Sequence, residues 1–347
     1  MPNATVTEAI DLVASGRDLT SEQAERVLRE IMSGAVDDAQ TAAFLIALRT
    51  KGETVEELTG LATTMRDFAT RVEVEGHDLL DTAGTGGGTP TFNVSTTAAF
   101  VAAGAGCRVA KHGNRSATSL CGSADVIEAL GARIDLAPES VVRCIEDVGF
   151  GFMFAPHHHQ ATRHVVPVRK ALGVRTIFNF LGPLTNPAGA TRQVIGVSDS
   201  SYLELIAGAL VRLGCRRALV VCGQDGMDEI SISAETNVVE VAPEGVRSYV
   251  ISPEQVGLER VESEFAEGGP PERNAEIARR VLEGETGPWR SLTCMNAGAA
   301  VLVAGKASTL EEGVRLAEQA IDSGAAFDKM ERFVKMTIQL APEAAPA

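Results

Sequence analysis

Asp81-Thr-Ala-Gly-Thr-Gly-Gly-Gly88 sets the reading of the whole chain. Glycines 84, 86, 87 and 88 stand between a short apolar run, Leu79 to Ala83, that reads as a strand, and an alanine-rich stretch that reads as a helix beginning near Ser95. A glycine loop in that position lets backbone N–H groups converge on an anion, and the helix N-terminus adds partial positive charge. Neither familiar nucleotide loop is present. No Gly-Lys-Ser/Thr follows, and Gly84-x-Gly86-x-x-Thr89 lacks the third glycine of the dinucleotide fingerprint.

Short apolar runs continue to alternate with helical stretches beyond the loop. Arg108 to Ala110, Val194 to Val197, Ala218 to Cys222 and Asn237 to Val241 read as strands, and Thr97 to Ala105, Ala124 to Leu130 and Ser201 to Leu213 as helices. This alternation predicts an α/β fold with a mostly parallel central sheet flanked by helices. Arg247 to Arg290 is polar and rich in Glu, Gly and Pro, and reads as surface turns and a helix. On the N-terminal side the texture is purely helical. Thr20 with Gln23 and Thr54 with Glu57 are capping boxes, each followed by apolar residues at helical spacing, and Ala39 to Thr50 forms a further helix. A small all-helical module therefore occupies about residues 4 to 71. Ala341 to Ala347 reads as a frayed tail.

Composition removes several functions. The 347 residues carry a net charge of −15, which opposes capture of nucleic acid or an anionic membrane surface. No run of 18 apolar residues is uninterrupted, so no membrane span is expected. The six cysteines are scattered without a C-x-x-C pair and no leader follows Met1, which predicts a reducing cytoplasm.

Against the acidic whole, Ala105 to Arg175 holds nine Lys or Arg, six Asp or Glu, and five of the six histidines. Lys111-His-Gly-Asn-Arg115 is its densest part, suited to phosphate and a polar acceptor. Asn93-Val-Ser-Thr-Thr97 offers an amide and three hydroxyls at the helix start, as caps or as ligand contacts. Arg163 and Arg169 flank Pro167, and either can aim a guanidinium fork at a carboxylate. His157-His158-His159 lacks a metal-ligand spacing, because adjacent side chains diverge; one ring is expected in a pocket. Asp225-Gly-Met-Asp228-Glu229 follows a strand, as a polar turn or as a Mg²⁺ site; beside a phosphate loop it reads as carboxylates holding Mg²⁺ and a polyphosphate.

Eight segments occur together and in order: Gly84-Thr-Gly-Gly87, Phe92-Asn-Val-Ser-Thr96, Lys111-His-Gly-Asn-Arg-Ser116, Gly122-Ser-Ala-Asp125, Phe154-Ala-Pro156, Thr176-Ile-Phe-Asn179, Leu181-Gly-Pro-Leu-Thr-Asn-Pro187 and Asp225-Gly-Met-Asp-Glu229. In these the chain closely resembles the anthranilate phosphoribosyltransferase family over nearly its full length. The resemblance implies a small helical domain, residues 1–74 with a helical insertion near 168–190, and a larger α/β domain, residues 75–167 and 191–347. It implies transfer of the 5-phosphoribosyl group of phosphoribosyl pyrophosphate (PRPP) to the amine of anthranilate, with Mg²⁺, and a homodimer formed through the helical domain.

Matched position by position, the resemblance assigns PRPP to Gly84, Thr85, Gly87, Thr91, Asn93, Ser95, Thr96, Lys111, Ser119 and Ser123. It assigns anthranilate to Gly84, His112, Asn114, His159 and Arg169, and Mg²⁺ to Ser95, Asp228 and Glu229. Lys111, Arg169 and His112 are the expected catalytic residues, Lys111 for the departing anion, Arg169 for the substrate carboxylate and His112 for the surplus proton. The loop departs from the family pattern: Gly88-Thr-Pro-Thr91 is one residue shorter and lacks an aspartate, and Gln160 stands where proline is common. A pyrimidine nucleoside phosphorylase shares the two-domain plan and stands as the alternative enzyme, and a non-catalytic nucleic-acid-binding relative as the alternative of another class.

Overall fold

The computed structural model describes residues 1–76, 78–116 and 120–341. Four helices come first: α1 (Ala4–Ala14), α2 (Ser21–Met32), α3 (Asp38–Lys51) and α4 (Val55–Asp67). Asn3, Thr20, Asp37 and Thr54 each accept a first-turn backbone N–H, and both expected capping boxes are formed. The second box does more than cap. Glu57 is fully buried, accepts from Leu19 N at 3.0 Å and Thr54 N at 2.9 Å, and pairs with Lys51 Nζ at 3.0 Å. Glu57→Ala leaves two backbone donors unmet and Lys51 with the exposed Asp18 as its one remaining carboxylate partner among the described residues. It is expected to destabilise the chain by about 3 kcal/mol, read as a lower urea midpoint at unchanged m-value.

One half of the sheet is built by β1 (Leu79–Gly84), α5 (Val94–Gly104), β2 (Arg108–Gly113), α6 (Ser123–Ala129), α7 (Pro138–Val148) and β3 (Phe150–Phe154). A second helical stretch follows: α8 (Ala155–His158), a 3-10 turn, α9 (Val166–Leu172) and α10 (Phe178–Leu184). The sheet resumes with β4 (Arg192–Gly196), α11 (Leu203–Arg212), β5 (Arg217–Gly223), β6 (Thr236–Ala242) and β7 (Gly245–Ile251). The chain then runs through α12 (Pro271–Leu282), α13 (Pro288–Val303), α14 (Leu310–Asp322) and α15 (Ala325–Leu340). Residues 342–347, most of the expected tail, lie outside the described residues.

The strand order is β3-β2-β1-β4-β5-β6-β7, parallel from β3 to β5 and antiparallel at β6 and β7. The chain moves outward from β1 to β3, then returns to β4 on the other side of β1. That reversal opens a crevice at the carboxyl ends of β1 and β4, where open α/β sheets bind ligands.

The sheet is a wall between two apolar cores, and the period-two alternation of its strands supplies both. Along β5, Leu219 and Val221 face one core, Ala218, Val220 and Cys222 the other. The first core holds α5, buried along nearly its whole length, with Phe100 stacked on Phe150 at 4.1 Å and Phe333 of α15 beside them. The second joins the N-terminal helices to α9, α10, α11 and one face of β4–β6. Arg66 ties the two ends of this core, donating to Leu184 O at 2.8 Å and Leu213 O at 3.2 Å.

The chain passes between the helical layer and the sheet three times, and the passes are laced to each other. Thr70 N donates to His158 O at 2.8 Å, His158 Nδ1 to Thr70 O at 2.9 Å, and Val72 N to Pro187 O at 3.1 Å.

Three features differ from the sequence reading. The inserted helical stretch starts at Ala155, ahead of the boundary expected at 167, and Ala161 and Val165 already pack into the helical core. Strand β3 escaped notice because Gly151 interrupts its aromatic run; a Cβ there would lie 2.5 Å from Ile145 of α7. Strand β7 is an edge strand, exposed over most of its length, and lies mostly inside the stretch read as surface turns. No helix among the described residues is long and apolar enough to cross a membrane.

Candidate active site

Strand β1 ends at Gly84, and the loop beyond it turns through Gly86 (φ +65°) and Gly87 (φ +82°), left-handed conformations that favour glycine. Its backbone is held from three directions. Thr85 N donates to Gly196 O at 2.9 Å, Gly86 N to Asp228 Oδ2 at 2.8 Å, and Thr89 N to Gly226 O at 3.0 Å. Arg175, between α9 and α10, reaches over to donate to Gly86 O at 2.6 Å. A Cβ on Gly88 would lie 2.5 Å from Gly226 O, so the loop position next to Gly87 has no room for a side chain. Asn93 precedes α5 without a side-chain cap bond; its amide donates to Cys121 O at 3.2 Å and accepts from Asn274 at 2.8 Å. The N-terminal amides of α5 thus face the same crevice as the loop, with the helix dipole behind them.

Lys111 rises from β2 beneath the loop, 1% exposed, with Nζ donating to Thr82 O and, at 3.3 Å, to Ser95 Oγ. Burial pushes its ammonium down to about 8, against the opposing pull of Asp81 and Glu229. Asp81 is itself buried, its carboxyl pushed up by desolvation while it accepts from Asn186 Nδ2 at 2.7 Å and His112 N at 3.2 Å.

The three adjacent histidines separate as expected of consecutive side chains. His157 packs edge-on against Phe154, His158 bonds Thr70, and His159 lies with its ring centroid 5.0 Å from that of His112. His112 Nδ1 lies 3.2 Å from Gly182 O, an acceptor only, so this nitrogen carries the proton and Nε2 keeps its lone pair without a partner. Burial, then the neighbouring His159, holds the His112 ring well below its ordinary range; burial, then His158, pushes His159 down to about 4. Both rings are neutral near pH 7.

This has a consequence for stability. The unfolded chain protonates His159 near pH 6.5 and the folded chain refuses the proton until about 4. The neutral ring's contribution, about 3 kcal/mol, is fully present above pH 6.5 and is lost as pH falls toward 4. Urea midpoints at pH 7 and pH 4.5 are expected to differ more for the natural chain than for His159→Asn.

Arg169 of α9 lies over the Phe178 ring, 5.5 Å from its centroid, and has no carboxylate partner among the described residues. Burial lowers its pKa. A half-buried guanidinium without a counter-ion is suited to an anionic ligand. Arg163 is exposed, its Nε 3.2 Å from His164 Nε2.

The acidic segment beyond β5 splits into two roles. Asp225 is spent on its own turn, accepting from Ser231 Oγ at 2.6 Å. Asp228 and Glu229 face the glycine loop, and burial pushes both carboxyls up, Glu229 further because Asp228 stands beside it. Glu229 Oε1 accepts from Thr91 Oγ1 at 3.2 Å, whereas the buried Oε2 has no partner. An orphaned buried carboxylate oxygen beside a second carboxylate fits a divalent cation that takes its other ligands from water and phosphate. Among the described residues no group of three or more His, Cys, Asp or Glu could hold a metal.

One cleft of about 870 Å³ collects these groups. Of the residues singled out from sequence, Gly84, Thr85, Gly87, Thr91, Asn93, Ser95, Lys111, His112, Asn114, Ser123, His159, Arg169, Asp228 and Glu229 line it. Thr96 does not; it is buried in α5. Ser119 lies outside the described residues. Ser95 Oγ accepts from Lys111, so a cation at Ser95 would sit against an ammonium. Sequence reasoning passed over Arg175, whose only signal was membership of the basic stretch.

The chain matches two domain families in order: the glycosyl transferase family helical bundle domain over residues 7–69 and the glycosyl transferase family a/b domain over residues 76–327. It is 54% identical over 334 residues to the anthranilate phosphoribosyltransferase of Symbiobacterium thermophilum, covering 96% of this chain and 98% of that protein. The enzyme of the same name from Rubrobacter xylanophilus is 55% identical, with coverage of 96% and 98%. Among solved structures, anthranilate phosphoribosyltransferase from Thermus thermophilus superposes with a TM-score of 0.90 at 47% identity, over 95% of this chain and 99% of that one. The Saccharomyces cerevisiae enzyme in complex with PRPP and Mg gives 0.90 at 30% identity, over 97% and 99%. Two domains matched in sequence order, and relatives more than half identical over nearly the full length, carry one conclusion: the chain belongs to the anthranilate phosphoribosyltransferase family.

Proposed function

We propose that this chain, a pentosyltransferase by family, transfers the 5-phosphoribosyl group of PRPP to the amine of anthranilate and releases pyrophosphate with Mg²⁺ bound. One observation carries the reading: the glycine loop, Lys111, the Asp228/Glu229 pair and the uncompensated Arg169 line a single cleft.

The amine of anthranilate is neutral and a weak nucleophile, so the bond from the sugar to diphosphate breaks ahead of attack, through an oxocarbenium-like state. What the protein must supply is stabilisation of the departing anion and a fixed approach for the amine. The amides of Gly84, Thr85 and Gly87, the α5 N-terminus, Thr91, Asn93, Ser95, Ser123 and the Lys111 ammonium serve the first need. Asp228 and Glu229 would hold Mg²⁺, which when bound would offset charge on the diphosphate. The Gly86 N–H, which now donates to Asp228, is a further donor beside that pair. Ser95 would be a further Mg²⁺ ligand in place of the hydrogen bond it now accepts from Lys111.

Arg169 and Asn114 grip the substrate carboxylate and orient the ring, with neutral His112 and His159 along its flank. His112 Nε2, lone pair free, accepts a hydrogen bond from the amine. A ring held so far below its ordinary pKa is a poor base, and a neutral nucleophile needs none until the new bond begins to form. Arg169→Ala is expected to raise the Michaelis constant for anthranilate about 10- to 100-fold, the equivalent of ~1.5–3 kcal/mol for a charged hydrogen bond. An unchanged constant removes Arg169 from the substrate site.

Incubation with PRPP and anthranilate, with and without Mg²⁺, followed by loss of anthranilate fluorescence, tests the reaction. Turnover of thymidine or uridine with phosphate in its place would mark a nucleoside phosphorylase. Pairing of two copies through the helical layer and a cytoplasmic location belong to the same proposal, the first tested by light scattering.

A further inference from the structure

We propose that Asn296, on α13 and outside the cleft, is a positioning residue that sets the cation affinity of Asp228 and Glu229 by fixing the backbone next to them. The proposal rests on the assignment of those carboxylates made above.

Asp228 and Glu229 belong to an irregular connection between β5 and β6, which by itself gives a carboxylate pair no fixed geometry. Asn296 Oδ1 accepts from Ile230 N at 2.9 Å, and its Nδ2 donates to Ile230 O at 2.9 Å and to Leu292 O at 2.9 Å. Both polar groups of one peptide residue, the one immediately after Glu229, are thus gripped by a single side chain. Ile230 is fully exposed to none of the solvent that could replace those bonds, being 0% accessible, and Asn296 is 6% accessible. Asparagine is a poor helix former and a costly side chain to bury, yet it stands mid-helix among Leu292, Met295, Ala299 and Ala300, all buried. The bidentate grip accounts for it. Helix α13 packs against α5 and the sheet, so the grip transfers the rigidity of the layer to the acidic pair. The carboxylates themselves make fewer side-chain contacts: Asp228 accepts from Gly86 N and Glu229 from the Thr91 hydroxyl.

Mn²⁺ titration of the full chain in the presence of PRPP, read by the electron paramagnetic resonance of free Mn²⁺, tests this. Asn296→Ala is expected to weaken Mn²⁺ binding about 10- to 100-fold, the range for partners that orient metal ligands. The concentration of Mg²⁺ giving half-maximal turnover should rise in parallel, with the Michaelis constant for anthranilate unchanged. Asn296→Asp, close in shape and keeping one acceptor for Ile230 N, should fall between and serves if the alanine variant does not fold. Natural Mn²⁺ affinity in a folded variant of lower melting temperature overturns the proposal, leaving Asn296 a packing residue. Absence of Mn²⁺ binding by the natural chain, or binding unaffected by Glu229→Gln, overturns the carboxylate assignment itself and is told apart by those two controls.

Discussion

A chain carrying both Asp228→Ala and Glu229→Ala is expected to lose Mg²⁺-stimulated turnover by about 10³-fold or more, and its residual rate to be flat in Mg²⁺ concentration. The magnitude follows from what is removed. Loss of one preorganised group facing developing charge commonly costs 10²- to 10³-fold, about 2.7–4 kcal/mol, and here the two carboxylates proposed to hold the cation go together. The loop suffers as well, because Gly86 N loses its acceptor. The two effects separate by experiment. Asp228→Asn keeps an acceptor for Gly86 N and weakens the cation, so the loss of Mg²⁺ response should persist while the fold is kept. Full activity of the double variant at the same Mg²⁺ removes both residues from the mechanism.

Gly196→Ala should be nearly as damaging, although residue 196 offers no functional group. A Cβ at this last residue of β4 would lie 1.5 Å from Asp228 O, a backbone atom that cannot rotate away. The register partner of Gly196 is Gly84, and Gly196 O accepts from Thr85 N. A methyl group here therefore drives the acidic segment from β4 and disturbs the start of the glycine loop at once. Overpacking of this kind costs about 1–3 kcal/mol in stability, while displacement of catalytic groups by 1 Å costs on the order of 10²-fold in rate. The expected result is a folded variant with kcat lowered ~10²-fold. Natural kcat would show that the Asp228 peptide shifts freely and that its placement is not under constraint.

The helical start of the chain was legible because its signals are local. Thr20 with Gln23 and Thr54 with Glu57 fix helix starts within four residues, and the structure forms both. The parallel strands were legible where they are apolar runs bounded by glycine. Strand β3 was not, because Gly151 answers to the packing of Ile145, a contact across the fold that a window of sequence does not contain. The same limit applies in the cleft. Glycines 86 and 87 announce a turn, but that Gly88 is a glycine because Gly226 O lies against it required the acidic segment to be in place. This packing also gives a physical account of the loop lacking an aspartate: the volume a side chain would take is filled by the Gly226–Asp228 backbone, and the Asp228 carboxylate caps the loop amide from outside. Arg175 and Asn296 act on backbone groups far along the chain, at separations of 89 and 66 residues, and neither carries a motif.

The lacing of Thr70 to His158 and Val72 to Pro187 limits how the molecule can breathe. Three parallel connections tied side to side, with a continuous apolar seam beside them, resist twist and slide while leaving rotation about their common line. Opening of the cleft is therefore expected to be a rotation about that line rather than a slide of one layer over the other. Arg175, donating to Gly86 O, ties the stretch between α9 and α10 to the glycine loop across that cleft, so the helical layer and the sheet meet there as well as at the laced connections.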